Sequence, residues 1–83
     1  MTERPGGRAE DRHKQLIGIG ARVRQLRLAK GLTQSDLANL TGIHRVNISQ
    51  FENGKIDLGI SNAYALATAL GVMPEELFQG VTR

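Results

Sequence analysis

The sequence predicts an all-α fold, a compact bundle of five short helices, and three observations carry that prediction. Apolar residues recur at steps of three and four along most of the chain, the spacing that puts them on one face of a helix. Glycine and asparagine interrupt that pattern at short intervals and cut it into brief segments. No stretch of useful length alternates apolar and polar residues, so no sheet is expected. The chain has 83 residues, one domain's worth. Only Phe51, Tyr64 and Phe78 carry large rings, so Leu, Ile, Val and Ala must fill the core.

Residues 1–15 contain Met1 and Ala9 as their apolar members, and Pro5, Gly6 and Gly7 break any helix. Such a segment buries too little surface to offset its ordering entropy. It is expected to form a flexible arm over 1–14, ahead of a folded domain over 15–80 and a short tail over 81–83. The first helix starts near the end of the arm, with Asp11 favourable in its first turn. Leu16, Ile19, Val23, Leu26 and the stem of Lys30 share one face, and Gly31 ends the helix. Thr33-Gln34-Ser35-Asp36 reads as an N-cap with an acid three residues on. A second helix follows through Leu37 and Ala38, and Gly42 stops it after about eight residues. A third begins near His44 or Arg45, turns Ile48 and Phe51 inward, and ends at Asn53-Gly54. In the fourth, Ile60, Ala63, Tyr64, Ala67 and Leu70 share a face, and Gly71 closes it. Pro74-Glu75-Glu76 suits a fifth start, since proline is tolerated in the first turn and acids favour the positive end. Leu77 and Phe78 are expected to complete the core.

Composition excludes several functions. There is no cysteine and there are two histidines, which removes disulfide frameworks, zinc fingers and thiol catalysis. His13 falls in the arm and His44 at a helix start, and spacing brings neither to a serine or carboxylate partner. Glu75 and Glu76 are adjacent and point different ways, so they form no acid/base pair. Gly18 and Gly20 lack the preceding strand and third glycine of a nucleotide loop. The expectation is no enzyme, no catalytic residue, no metal, no cofactor and no small-molecule ligand. No apolar run reaches the length of a membrane span and no leader pattern opens the chain, so a cytoplasmic protein with no membrane partner is expected.

The net charge is +3, and its distribution says more than its total. Residues 16–55 carry a balance of +4, and residues 56–83 a balance of −2. A basic region beside an acidic one suggests that one surface meets a polyanion. A solvated helix face of ordinary arginine content reads the same way on charge alone.

The segment Gln34–Phe51 sharpens this. Two helices that cross closely need a small residue where their backbones approach, and Ala38 fits. The turn between them needs a positive φ, which Gly42 supplies without a steric cost. Ile48 and Phe51 anchor the second of the two helices and leave Arg45, Val46, Asn47 and Gln50 facing outward. That is helix-turn-helix geometry, although a plain helical hairpin satisfies the same loose spacing.

Longer stretches narrow the choice. Leu32-Thr33-Gln34-Ser35-Asp36-Leu37-Ala38, Thr41-Gly42-Ile43, Ile48-Ser49-Gln50-Phe51-Glu52-Asn53-Gly54-Lys55 and Ala69-Leu70-Gly71-Val72 resemble the Cro and phage-repressor (Xre-type) helix-turn-helix family, from about Ile19 to Phe78. The resemblance implies a five-helix, lambda-repressor-like domain that binds operator DNA through the major groove, usually as a dimer. It implies that Gln34 contacts a phosphate and braces the start of the recognition helix, that Thr33 caps its own helix and reaches the same phosphate, and that Asn53 binds backbone phosphate. Lys55 is an additional phosphate candidate. It further implies a structural pair between Arg27 and Glu52.

Base-reading positions vary within such a family, so local chemistry must assign them. Arginine can bind guanine O6 and N7 with two donors, glutamine and asparagine can bind adenine, and valine can touch a thymine methyl. Arg45, Val46, Asn47 and Gln50 are therefore the base-reading candidates, with Arg45 and Gln50 foremost. Phosphate contact or plain exposure stays open for each.

Some residues depart from the family's habit. His44 stands where serine or threonine commonly caps the recognition helix. Its ring caps imperfectly, but it can reach a phosphate. Thr41 stands where many members are apolar. A single module contacts one half-site, so a homodimer is expected. Its surface is either the fifth helix with Gln79–Arg83, which is preferred, or a stripe of Ile17, Ala21 and Leu28. The function expected is a sequence-specific transcriptional regulator, a repressor or autoregulator on a palindromic operator. An antitoxin or a protein-interaction module built on the same domain is the alternative.

Overall fold

The structure, a computed structural model, describes residues 18–78. The expected arm over 1–14, Leu16, Ile17 and Gln79–Arg83 lie outside the described residues. Four α-helices and a final 3-10 helix follow in order. The described part of α1 covers 18–29, α2 is Gln34–Thr41, α3 is Arg45–Glu52 and α4 is Gly59–Leu70. The 3-10 helix is Pro74–Phe78. Helix α2 packs against α3 and α4, and α4 packs against the 3-10 helix.

The fifth helix therefore differs from expectation: it is one tight turn and not an α-helix. The Glu76 amide donates to the Met73 carbonyl at 2.9 Å, an i→i+3 bond that winds tighter than an α-turn. The Glu76 side chain accepts from the Met73 amide at 3.1 Å and locks the same four residues. Arg22 of α1 donates its Nε to the Glu76 carbonyl at 3.3 Å, which engages an acceptor that an α-helix would use for its own next turn.

The core is aliphatic. Val23, Leu37, Ile48, Leu66, Ala67, Leu70 and Leu77 are buried, with Ile43 and Phe51 closing one side. Two expectations fail here. Ile60 and Tyr64 are exposed, and the buried face of α4 is Leu66, Ala67 and Leu70 with Ala63 beside it. The helix reads GISNAYALATAL, so apolar residues occupy most of its circumference and two stripes fit the same period. Phe78 does not close the core and stands exposed, because Leu77 fills that space. Lys30 is exposed overall, but its stem reaches across to the end of α4, where a Cβ on Gly71 would stand 3.5 Å from its Cε and 3.4 Å from its Nζ.

Gly20 explains how α1 meets α3. It is buried, and a Cβ there would overlap the Phe51 carbonyl oxygen and stand 2.9 Å from the carbonyl carbon and 3.1 Å from the Glu52 Cα. The missing side chain lets α1 lie directly on the backbone at the end of α3. This approach also brings Arg27 of α1 to Glu52.

Candidate nucleic-acid interface

The interface is built on α2, a three-residue turn and α3. Thr33 caps α2 as a full capping box: its hydroxyl accepts from the Asp36 amide at 2.9 Å, and the Asp36 carboxylate accepts from the Thr33 amide at 2.9 Å. These bonds to Thr33, chiefly the backbone one, hold the Asp36 carboxyl below its usual range. The box leaves the Gln34 and Ser35 amides at the open end of α2, where a helix has no partners of its own for its first donors.

The turn is held from three sides. Gly42 takes φ 78° and donates to the Ala38 carbonyl at 2.8 Å. Ile43 is buried as an apolar anchor. Thr41 supplies what sequence reasoning missed: its hydroxyl donates to the Leu37 carbonyl at 2.8 Å and accepts from the Ile43 amide at 3.1 Å. A hydroxyl at this position satisfies two backbone groups that an apolar residue would leave to solvent. Only its type, a threonine at a helix end, signals this in the sequence.

Helix α3 buries Ile48, Phe51 and Glu52 and leaves Arg45, Val46, Asn47 and Gln50 exposed. All four base-reading candidates thus lie on the face away from the core. His44 is the N-cap residue and makes no side-chain cap bond. Its ring is exposed beside Arg45. Asn53 caps the far end, with its Nδ2 donating to the Ser49 carbonyl at 2.9 Å. Lys55 is exposed two residues later.

Behind this face lies a buried polar cluster. Arg27 grips Glu52 at two points, Nε to Oε2 at 2.7 Å and Nη2 to Oε1 at 3.0 Å. Its Nη1 donates to the Leu32 carbonyl at 2.8 Å and fixes the α1–α2 loop. The hydrogen bonds to Glu52 raise the Arg27 pKa further above its ordinary value, against the opposing effect of burial. Gln34 joins from α2, its Nε2 donating to Glu52 Oε1 at 3.1 Å. The resemblance implied a brace from Gln34 to the start of the recognition helix, and the structure corrects its place. Here the side chain meets that helix at its last residue, and the sequence holds no signal for this third member of the pair.

The electrostatic outcome is simple. From the start of α2 at Gln34 to residue 56 the charged residues are Asp36, Arg45, Glu52 and Lys55. Glu52 is buried and paired, while Arg45 and Lys55 are exposed. The exposed charges of this stretch are therefore two cations against one acid, Asp36, whose carboxylate is engaged with Thr33 at the α2 cap.

A small helical core, a glycine turn and an outward polar face on α3 define a helix-turn-helix domain. A family profile described as helix-turn-helix matches residues 23–77. The chain belongs to this helix-turn-helix family of DNA-binding transcriptional regulators. It is similar to control protein C.BamHI of Bacillus amyloliquefaciens, 38% identical over 65 residues, which cover 77% of this chain and 80% of the relative. An HTH-type transcriptional regulator of Archaeoglobus fulgidus is 35% identical over 57 residues, 69% of this chain and 81% of that protein. Among solved structures, the restriction-modification controller protein C.AhdI from Aeromonas hydrophila superposes with a TM-score of 0.74 at 44% identity. The match covers 76% of this chain and 96% of that one. Among the described residues no helix is long and apolar enough to cross a membrane.

Proposed function

We propose that this chain is a sequence-specific regulator that occupies a palindromic operator as a homodimer, laying α3 in the major groove of each half-site. The observation that carries the reading is the charge of the α2–α3 surface. Of its two acids, Glu52 is turned inward onto Arg27 and Asp36 is tied to the Thr33 amide in the capping box, and Arg45 and Lys55 are left exposed to meet phosphate or base. Arg45, Val46, Asn47 and Gln50 read base edges. Thr33, Gln34, His44, Asn53 and Lys55 hold the backbone, helped by the open amides at the start of α2. The dimer forms through the C-terminal surface, which offers exposed Met73 and Phe78 beside α4.

Likeness to two controller proteins narrows the biological role. At 44% and 38% identity, it supports a regulator of a restriction-modification gene set, acting as a repressor or autoregulator in the cytoplasm. With no catalytic residues invoked, its action is occupancy of DNA. The test is a titration against random-sequence duplex at two salt concentrations. Binding that weakens steeply with salt is expected. Absence of binding, or binding indifferent to salt, overturns the reading. A selection from a random DNA library then yields the operator, and two inverted half-sites in the selected sequence would report the dimer.

A further inference from the structure

We propose that Glu52 is a positioning residue for Gln34: the carboxylate, itself fixed by Arg27, sets the orientation in which the Gln34 amide meets a DNA phosphate. The inference rests on the DNA-binding reading above and adds a role that the base-reading face does not contain. Glu52 is the last residue of α3, buried, and on the side away from the outward face. Gln34 is the first residue of α2 and half-buried. The two meet through a single bond, Gln34 Nε2 to Glu52 Oε1 at 3.1 Å.

The chemistry of the pair dictates the geometry. An ionised carboxylate only accepts. It therefore draws the nitrogen end of the Gln34 amide inward and repels the oxygen end. That nitrogen carries two hydrogens, and Glu52 takes one. The second is left as a donor beside the open Gln34 and Ser35 amides of α2, where an anion is favoured. A free glutamine would sample both amide orientations and several rotamers. The buried acceptor removes that freedom before DNA arrives, which is preorganisation.

Arg27 is needed for the same reason. A bare carboxylate behind a phosphate site would repel the phosphate. The two-point grip at 2.7 and 3.0 Å neutralises Glu52 while leaving Oε1 able to accept from Gln34. The cluster thus links α1, α2 and α3 at one carboxylate, and Gln34 is its member nearest the proposed DNA surface.

The test is a mutant cycle on DNA affinity, read with random-sequence duplex at one low salt concentration. The variants are Gln34→Ala, the paired replacement Arg27→Met with Glu52→Met, and all three together. The paired replacement keeps side-chain volume and leaves no lone buried charge. Gln34→Ala and the paired replacement should each weaken binding about tenfold, the loss of one charge-assisted hydrogen bond. The triple variant should bind no more weakly than either, because both act through one amide. Losses that multiply in the triple variant, or a paired replacement that binds as the wild type does, would overturn the proposal. Circular dichroism checks that each variant folds. Should the paired replacement not fold, Glu52→Asp serves, since it keeps the charge but draws the oxygen back from Gln34. It should weaken binding in the wild-type background and leave Gln34→Ala unchanged, and equal losses in both backgrounds would overturn the proposal. A wild type without salt-dependent binding would instead sink the DNA reading itself, so the two failures are distinct.

Discussion

Arg27 and Glu52 are held face to face inside the fold, with both carboxylate oxygens bonded to the guanidinium. Their side chains are 8% and 1% exposed, so neither charge is hydrated to any extent. Such a pair gives little net stability against an apolar pair of the same shape, because removing two charges from water costs about as much as their attraction returns. Its effect is on specificity of packing: it fixes α1 against the last turn of α3 at one angle and one register.

Breaking this pair from one side should be costly. Arg27→Ala or Glu52→Ala should each lower stability by about 3–5 kcal/mol, since the partner is left charged and buried. The paired replacement by methionine should cost far less or stabilise the fold. Urea unfolding followed by circular dichroism measures all three. Single losses under about 1 kcal/mol would show the site to be open to water.

Gly20 predicts a second sensitive point. Alanine is the smallest change possible, yet its Cβ would meet the rigid Phe51 carbonyl and the Glu52 Cα. Backbone cannot swing aside as a side-chain tip can. Gly20→Ala should cost about 1–3 kcal/mol by forcing α1 away from α3, although alanine is the better helix former. A rise in melting temperature would show that α1 can shift freely.

Gly20 also marks where sequence reading stops. The elements were legible because each carries local signals: the Thr33–Asp36 cap, the Gly42 turn and the Gly71 stop are all short-range chemistry. The pairing of Arg27 with Glu52 was legible only through family resemblance, since nothing local links residues 25 apart in sequence. Gln34 as the third member was not legible, because its bond depends on how α2 and α3 pack. Gly20 reads as an ordinary helical glycine until α3 is placed on it. The face of α4 was misread for a different reason. Ile60 and Tyr64 follow the same helical period as Leu66 and Leu70, and only the neighbouring helices decide which stripe is covered. The outward set on α3 was legible, because Ile48 and Phe51 fix the buried side and the rest follows by geometry.

The capping box makes stability depend on acid. Asp36 has its pKa lowered in the fold by the Thr33 bonds. A carboxyl with a depressed folded pKa contributes stability that is fully present above its unfolded value and fades as pH falls through the folded one. The contribution of Asp36 should therefore be complete above its ordinary value of 3.8 and decline below it. Comparing the wild type with Asp36→Asn across acid pH by thermal unfolding isolates it. The two melting curves should differ most near neutrality and converge in acid. A constant gap would show that the Asp36 charge plays no part.

The exposed Phe78 predicts the assembly. A phenylalanine 44% exposed at the C-terminal surface is an apolar group suited to burial against a second copy. Phe78→Asp should shift the protein toward monomer in sedimentation velocity, with helix content unchanged because the core beneath is Leu77. Loss of the dimer would also weaken binding to a two-half-site operator far more than to a single half-site. A variant that stays dimeric would move the interface to the α1 side, where Leu28 is 52% exposed.

Arg45 separates reading from holding. It is the first residue of α3 and exposed, without an acidic partner among the described residues. Its guanidinium is therefore available to DNA. Bound in two-point fashion to a guanine edge, it should carry about 1–3 kcal/mol of discrimination at one base pair. Arg45→Ala should then lower operator affinity and relax preference at that base pair, while leaving affinity for random duplex nearly as before. A phosphate contact behaves otherwise: its loss weakens every sequence alike and flattens the salt dependence by about one charge. Titrating the variant against the selected operator, against its single-base variants and against random duplex at several salt concentrations measures both signatures. Uniform weakening would reassign Arg45 to the backbone and leave Gln50, one turn and a half further along the exposed face, as the foremost reader.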